Sequence, residues 1–120
     1  MTNNYQQISP LPETNNGFAS GPENLHSIMS GPVVDIEGYI THHQAVLSWI
    51  PATSVHPIIR YEVYRGEDPN NIWKIDETTA ETYVDNTIQP NMFYFYYVIA
   101  YNSMNIASPS SNIAPVIVQD

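Results

Sequence analysis

The segment from Phe93 to Tyr101 constrains the fold more than any other part of the chain. It is dominated by aromatic and β-branched residues and contains no Gly or Pro, a composition typical of a β-strand. Successive side chains of a strand point to opposite faces. One face therefore carries Tyr94, Tyr96, Val98 and Ala100, and the other carries Phe93, Phe95, Tyr97, Ile99 and Tyr101. Because both faces are apolar, we predict a central strand that requires cover on each side.

Shorter alternating segments surround this strand, and turn residues separate them. The pattern predicts strands at 33–39, 44–50, 58–65, 72–75, 82–85 and 112–118, a turn at 41–44 and a loop at 51–57. No helical period is visible. About seven short strands with turns every 8–12 residues or so are typical of a β-sandwich. We therefore predict an all-β, seven-stranded, immunoglobulin-like sandwich over residues 33–120.

Residues 1–32 differ from the rest of the chain. They are rich in Asn, Gln, Ser, Gly and Pro, and their breaker residues interrupt any strand or helix period. They nevertheless carry seven spaced apolar residues, namely Tyr5, Ile8, Leu11, Phe18, Leu25, Ile28 and Met29. A solvated linker would not need them. We expect an extended N-terminal arm that becomes ordered by docking on its own domain or on a partner, with the solvated linker as the alternative.

Charge argues against two classes of partner. The chain has 12 acidic and 3 basic side chains, for a formal net charge of -9. Nucleic-acid phosphates and anionic lipids are bound by Lys and Arg, so we expect neither nucleic acid nor membrane as a partner. The N-terminus has no basic segment followed by an apolar one, which predicts synthesis in the cytosol without Sec export. There is no Cys, so no disulfide or thiolate metal site is expected.

Catalysis is not expected either. The chain has no Gly-x-Ser-x-Gly elbow, and its four His residues, His26, His42, His43 and His56, fall in predicted loops or in the arm. His42 and His43 are adjacent, so they point apart in an extended chain and lack a third ligand at a suitable spacing. The acidic residues of the turns do not follow the spacing of a Ca²⁺ loop. We therefore predict no catalytic residue, no cofactor and no metal.

Several motifs together resemble the fibronectin type III family over about residues 33–118. Leu47 and Trp49 resemble its second strand, residues 61–65 its third, residues 82–85 the bacterial and phage form of its fifth, and residues 88–102 its sixth. The resemblance implies a core that contains Leu47, Trp49, Tyr61, Val63, Tyr94, Tyr96 and Val98. It also implies that the hydroxyl of Tyr94 bonds to upstream backbone, as in a tyrosine corner. There is no Arg-Gly-Asp in the loop before the last strand, so integrin binding is not implied.

The outward face of the central strand is the strongest functional lead. We expect Tyr64, Phe95, Tyr97, Ile99 and Tyr101 to lie together there, with Trp73 or Ile75 nearby. An aromatic patch of this size is rarely left bare on a soluble monomer. Three kinds of cover remain open, namely the chain's own arm, another protein subunit and a stacked sugar.

These features favour a non-enzymatic structural or interaction subunit of a larger assembly. The lack of a signal segment and the acidic surface, together with the analogy that phages use sandwich domains of this kind, suggest a virion protein, such as a capsid decoration, fibre or tail component whose partners are capsid or tail proteins. Its loops at 51–57 and 102–111 would make weak contact with host-surface glycans. The alternative is a carbohydrate-binding or adhesion module of an extracellular bacterial protein.

Overall fold

The computed structural model describes residues 17–118, which contain nine β-strands and, in that range, no helix. The strands are β1 (Phe18–Ser20), β2 (Glu23–Val34), β3 (Ile40–Ile50), β4 (Thr53–Ser54), β5 (Ile58–Asp68), β6 (Asn71–Thr78), β7 (Thr82–Ile88), β8 (Phe93–Asn102) and β9 (Ala114–Ile117). They form a three-stranded sheet β2-β3-β7, a four-stranded sheet β6-β5-β8-β9 and a small pair β1-β4. Seven strands thus build the two main sheets, and the predicted sandwich is confirmed.

Strand β8 is an interior strand of its sheet, as its composition predicts. It pairs antiparallel with β5 on one side and with β9 on the other. Its inward residues Tyr94, Tyr96, Val98 and Ala100 are all buried. The inward residues of β3 and β5 meet them, and the Trp49 and Tyr61 rings pack edge to face with their centroids 5.4 Å apart. All seven residues of the predicted core are buried.

Tyr94 forms the hydrogen bond expected of a tyrosine corner. The backbone N–H of Gln89 donates to its hydroxyl over 2.9 Å, so the ring fixes the turn that leads from β7 into β8. The loop after β8 turns through Asn105, which has a positive φ of 59°. Asn tolerates this left-handed conformation better than most residues.

The beginning of the sandwich lies earlier in the chain than the sequence pattern indicates. Residues 23–34 form β2 and pair antiparallel with β3, and Phe18 and Leu25 are buried in the core. The predicted boundary at residue 33 is therefore wrong for residues 18–32, which belong to the folded body. The predicted strand at 33–39 is also wrong, because residues 35–39 connect β2 to β3. The predicted turn at 41–44 lies inside β3.

A side-chain clamp attaches β2 to the last part of the chain. The backbone N–H of Leu25 donates to Oδ1 of Asn112 over 2.8 Å, and Nδ2 of Asn112 donates back to the Leu25 carbonyl over 3.0 Å. Farther along, the Ser30 hydroxyl donates to the Ile117 carbonyl. Both contacts join residues 87 positions apart, so β2 and the final segment run parallel to each other.

Of the arm residues predicted to contact a partner, Phe18 and Leu25 are instead core residues of this domain. They are buried because β1 and β2 close the open side of the sandwich. Ile28 and Met29 lie on β2 and remain exposed. Tyr5, Ile8 and Leu11 lie outside the described residues.

Candidate functional site

The outer surface of the four-stranded sheet collects five of the thirteen predicted interface residues, namely Tyr64, Phe95, Tyr97, Ile99 and Tyr101. Its register pairs Tyr64 with Tyr97 and, one strand further, Phe95 with Pro115 and Phe93 with Ile117. Directly paired residues point to the same face. We call this surface the aromatic face, and it consists of Tyr64, Phe93, Phe95, Tyr97, Ile99, Tyr101, Pro115 and Ile117.

Two tyrosines form the centre of the aromatic face. The rings of Tyr64 and Tyr97 stack with their centroids 4.8 Å apart and their planes at 15°. Each ring covers one side of the other, so both side chains are half-buried. Phe95, Ile99 and Tyr101 are half-buried as well, whereas Phe93, at the start of β8, and Ile117, at the end of β9, are 58% and 54% exposed. The face is thus partly covered by its own side chains and is open at Phe93 and Ile117, which we call the open edge.

A network of charged side chains borders the tyrosines. Glu62 accepts hydrogen bonds from Arg60 Nε at 3.0 Å and from the Tyr64 hydroxyl at 3.2 Å. Lys74 Nζ lies 3.4 Å from Glu62 and 2.9 Å from Glu77. The Arg60 guanidinium also lies over the Tyr101 ring, 4.1 Å from its centroid, in cation–π contact.

The pKa shifts follow from this arrangement. Burial alone would raise the pKa of Glu62, but Arg60 and Lys74 outweigh it and hold that pKa below its usual value. Burial and the neighbouring Glu62 carboxylate raise the pKa of the Tyr64 hydroxyl. Two of the three basic residues of the chain therefore neutralise two carboxylates here, and the aromatic face is locally uncharged on an acidic protein.

Trp73 does not belong to the aromatic face. It pairs with Arg65, whereas its neighbour Lys74 pairs with Tyr64, so Trp73 projects from the opposite side of the sheet. It is 63% exposed there. The cause is an irregular register between Val63 and Tyr64, since one extra residue in a strand reverses the direction of every later side chain.

Residues 18–34 do not cover the aromatic face. Strand β2 pairs with β3 in the other sheet and reaches the four-stranded sheet at the β9 edge. Among residues 17–118, cover for the aromatic face therefore comes from the face itself. Sequence reasoning omitted Phe93, Pro115 and Ile117 from the candidate interface, although the alternation along β8 already places Phe93 on the outward side.

A second cluster of charged groups lies between the sheets. Asp85 is 1% exposed and accepts hydrogen bonds from Arg65 Nη1 at 2.7 Å and from the Tyr96 hydroxyl at 2.6 Å. Thr87 donates to it from its backbone N–H and its hydroxyl. Burial opposes ionisation of Asp85, but these donors lower its pKa below the usual value. Since both carboxylate oxygens are engaged within the fold, the cluster connects the sheets and offers no atom to a substrate.

The remaining polar candidates do not assemble into a reactive site. His42 Nε2 lies 3.0 Å from Oδ1 of Asn86, and the adjacent His43 is buried. Over residues 17–118 there is no group of three or more His, Asp or Glu residues that could hold a metal. The same range contains no helix long and apolar enough to cross a membrane.

Solved structures provide the comparison, since no family model matches the sequence. An Fn3-like protein from Clostridium thermocellum is 21% identical with a TM-score of 0.62, and the match covers 84% of this chain and 94% of that one. A human fibronectin type III domain is 14% identical with a TM-score of 0.59, over 88% of this chain and 74% of that one. This chain has a fibronectin type III-like fold.

One further neighbour is an enzyme. A pectate lyase from Pectobacterium carotovorum is 25% identical with a TM-score of 0.53, and the match covers 73% of this chain and 26% of that one. The fibronectin type III-like domain therefore corresponds to about a quarter of that protein. These likenesses show the fold of this chain, and its function has to be argued from its surfaces.

Proposed function

We propose that this fibronectin type III-like domain is a non-catalytic interaction module that binds another protein subunit through its aromatic face. The observation that carries the proposal is the continuous row of aromatic and aliphatic side chains on β5, β8 and β9, which opens to solvent at Phe93 and Ile117. Cores of protein interfaces are enriched in aromatic residues and depleted of charge. The aromatic face meets both conditions.

The energetics support a contact centred on this open edge. Fully burying a side chain the size of Phe or Ile is worth about 1.5–3 kcal/mol, and Phe93 and Ile117 are more than half exposed. The stacked tyrosines farther along the same face already order each other, so binding would cost little entropy to fix them. The charged network around Glu62 would form the polar rim of such an interface.

The class of assembly that we propose is a virion, in which the domain would be a capsid decoration, fibre or tail component bound to capsid or tail proteins. This part of the proposal is supported by the likeness of residues 82–85 to the bacterial and phage form of the fifth strand, by the analogy with phages that use sandwich domains of this kind, and by the acidic composition. The corresponding location is the virion, with an extracellular location as the alternative.

The test substitutes Phe93 and Ile117, the two most exposed apolar residues of β8 and β9 on the aromatic face. In cells that make the protein, we expect the double variant F93S/I117S to lose most of its association with large particles, because the partner no longer buries apolar side chains there. The measurement is the share of the protein that co-sediments with those particles, and mass spectrometry of the particles identifies their class. The matched control is Val55→Ser, which removes an apolar side chain that is 82% exposed and lies towards the end of β8 opposite to Phe93. Equal co-sedimentation of both variants would refute the proposal.

A second candidate function is polysaccharide binding. It is favoured by the stacked Tyr64–Tyr97 pair with Arg60 and Lys74 beside it, since aromatic rings stack on sugars and basic side chains bind sugar carboxylates. The match to part of a pectate lyase makes polygalacturonate the first probe.

Two substitutions test this candidate function, because Tyr97 and Trp73 lie on opposite faces of the sheet. If sugars stack on the aromatic face, Tyr97→Ala should weaken binding to polygalacturonate in affinity gel electrophoresis about tenfold, which corresponds to 1.4 kcal/mol. Trp73→Ala should leave binding unchanged, because Trp73 lies on the other side of the sheet. Absence of retardation for the unaltered protein would eliminate this candidate.

A further inference from the structure

The β2–β3 hairpin continues past the end of its sheet. Strand β7 pairs with β3 from His43 to Ser48, whereas β2 and β3 remain paired with each other as far as Val34 and Ile40. Every residue from Val34 to Thr41 is exposed. We call residues 33–41 the hairpin tip.

The hairpin tip is apolar where a protruding turn is usually polar. Ile36 is 96% exposed and Tyr39 is 73% exposed. Val34 and Ile40 are exposed register partners, so their side chains project from the same face of the hairpin. Single exposed apolar residues are ordinary, but four of them on one short projection indicate a contact surface.

The tip is also held in a fixed conformation. Oδ1 of Asp35 accepts hydrogen bonds from the backbone N–H groups of Glu37, at 3.0 Å, and Tyr39, at 2.9 Å. Two backbone bonds, Asp35 N–H to the Tyr39 carbonyl and Gly38 N–H to the Asp35 carbonyl, close the same loop. Gly38 supplies the positive φ of 92° that the turn requires. A turn already ordered in this way loses little entropy when it binds.

We propose that the hairpin tip is a protein-docking knob, which inserts Ile36 and Tyr39 into an apolar recess of a partner protein whose rim carries basic side chains. The rim chemistry follows from the two carboxylates of Asp35 and Glu37, which flank Ile36 on a chain of net charge -9. Complementary charge around an apolar contact increases the association rate and excludes wrong partners.

Two other occupants fit the tip less well. Inserting Ile36 into a bilayer would carry the carboxylates of both its sequence neighbours into the low-dielectric interface, which is costly. A second copy of this chain carries the same negative charge, so like-charge repulsion opposes docking between copies. A different protein with a basic rim avoids both penalties.

The knob is distinct from the proposed binding function of the aromatic face. It extends from the three-stranded sheet, whereas the aromatic face belongs to the outer surface of the four-stranded sheet. The two surfaces can therefore be tested with different variants.

The test places a photoreactive amino acid, p-benzoylphenylalanine, at position 36 of the full chain in cells that make the protein. The control carries it at position 55, at the opposite end of β3. We expect a protein adduct specific to position 36. The cross-linked protein is then purified, and calorimetry measures its affinity for the unaltered chain and its variants. We expect at least about tenfold weaker binding for Ile36→Asp and a smaller loss for Glu37→Gln that disappears at high salt.

Each outcome decides between the occupants. F93S/I117S should bind the cross-linked protein as tightly as the unaltered chain, which separates this test from that of the aromatic face. No adduct at position 36, an adduct with a lipid or with another copy of the chain, or unchanged affinity of Ile36→Asp would each overturn the proposal. Phosphatidylcholine–phosphatidylglycerol vesicles should not retain the chain in a flotation assay. Because the Ile36 side chain is almost fully exposed, Ile36→Asp should unfold at the same temperature as the unaltered protein.

Discussion

At the scale of single residues, Asp85 shows how this small domain holds a charge in its interior. The carboxylate lies between β7 and the four-stranded sheet and receives donors from Arg65, Thr87 and Tyr96. A buried ion pair of this kind adds little compared with an apolar pair, but removing one partner leaves the other charge uncompensated. Asp85 should therefore tolerate substitution poorly, even though it lies outside both proposed binding surfaces.

The variant Asp85→Asn tests this view of the buried ion pair. Asn keeps the size of the side chain and removes its charge, so the Arg65 guanidinium loses its counter-ion. Because the Arg65 side chain is still 21% exposed, water offsets part of the loss, and we expect the free energy of unfolding to fall by about 3 kcal/mol, the lower end for buried pairs. Urea unfolding at pH 7 measures it, with exposed Glu67→Gln as the control. A loss no larger than that of the control would contradict this view.

The same pair predicts a pH dependence. The fold lowers the pKa of Asp85, so its stabilising contribution is present above the unfolded pKa of about 3.9 and is lost as the pH falls towards the folded value. The unaltered protein should therefore lose stability on acidification faster than Asp85→Asn does. The difference in unfolding free energy between the two should shrink between pH 5 and pH 3.

At the scale of elements, β2 is the strand that the sequence pattern does not predict. Its breaker residues Gly31 and Pro32 indicate a flexible arm, because Pro cannot donate a hydrogen bond to a neighbouring strand. In the structure β2 has one partner strand in its sheet, β3, and lies at the sheet edge, where a missing N–H does no harm. Edge position is a tertiary property, so local sequence pattern could not reveal it.

Truncation tests the contribution of this strand. A chain that begins at residue 33 lacks most of β2 and the core side chains Phe18 and Leu25, so we expect it to be unfolded or aggregated. A chain that begins at residue 17 retains β1 and β2 and should fold. Circular dichroism and dispersion of amide NMR signals distinguish the two outcomes, and a folded, cooperative 33–120 fragment would show that β2 is dispensable.

Strand β6 shows a second feature that the alternation of apolar residues does not predict. The interior position of β8 and its inward face were predictable, because a run that is apolar on both faces fits the interior of a sheet. The face of the sheet on which Trp73 lies was not predictable, since the irregular register beside Val63 shifts the alternation of side chains by one residue. The apolar residues of the hairpin tip were likewise read as part of a strand, because Ile36 continues the alternation of Val34.

At the scale of the whole molecule, charge and apolar surface are distributed unevenly. The acidic chain places Arg60 and Lys74, two of its three basic residues, beside the stacked tyrosines. Within residues 17–118, Ile36 is the most exposed large hydrophobic side chain, and it lies on a projection between two carboxylates. The first surface is flat and neutral, whereas the second is convex and acidic. The two proposed contacts would therefore take partners of different surface charge.

The parallel course of β2 and the final segment has a mechanical consequence. If the two ends of the described chain were drawn apart, these segments would slide along each other in opposite directions. The Asn112 clamp and the Ser30 contact would then bear the load together rather than one after the other. A domain connected in this way resists stretching through shear, which suits a component that has to transmit tension.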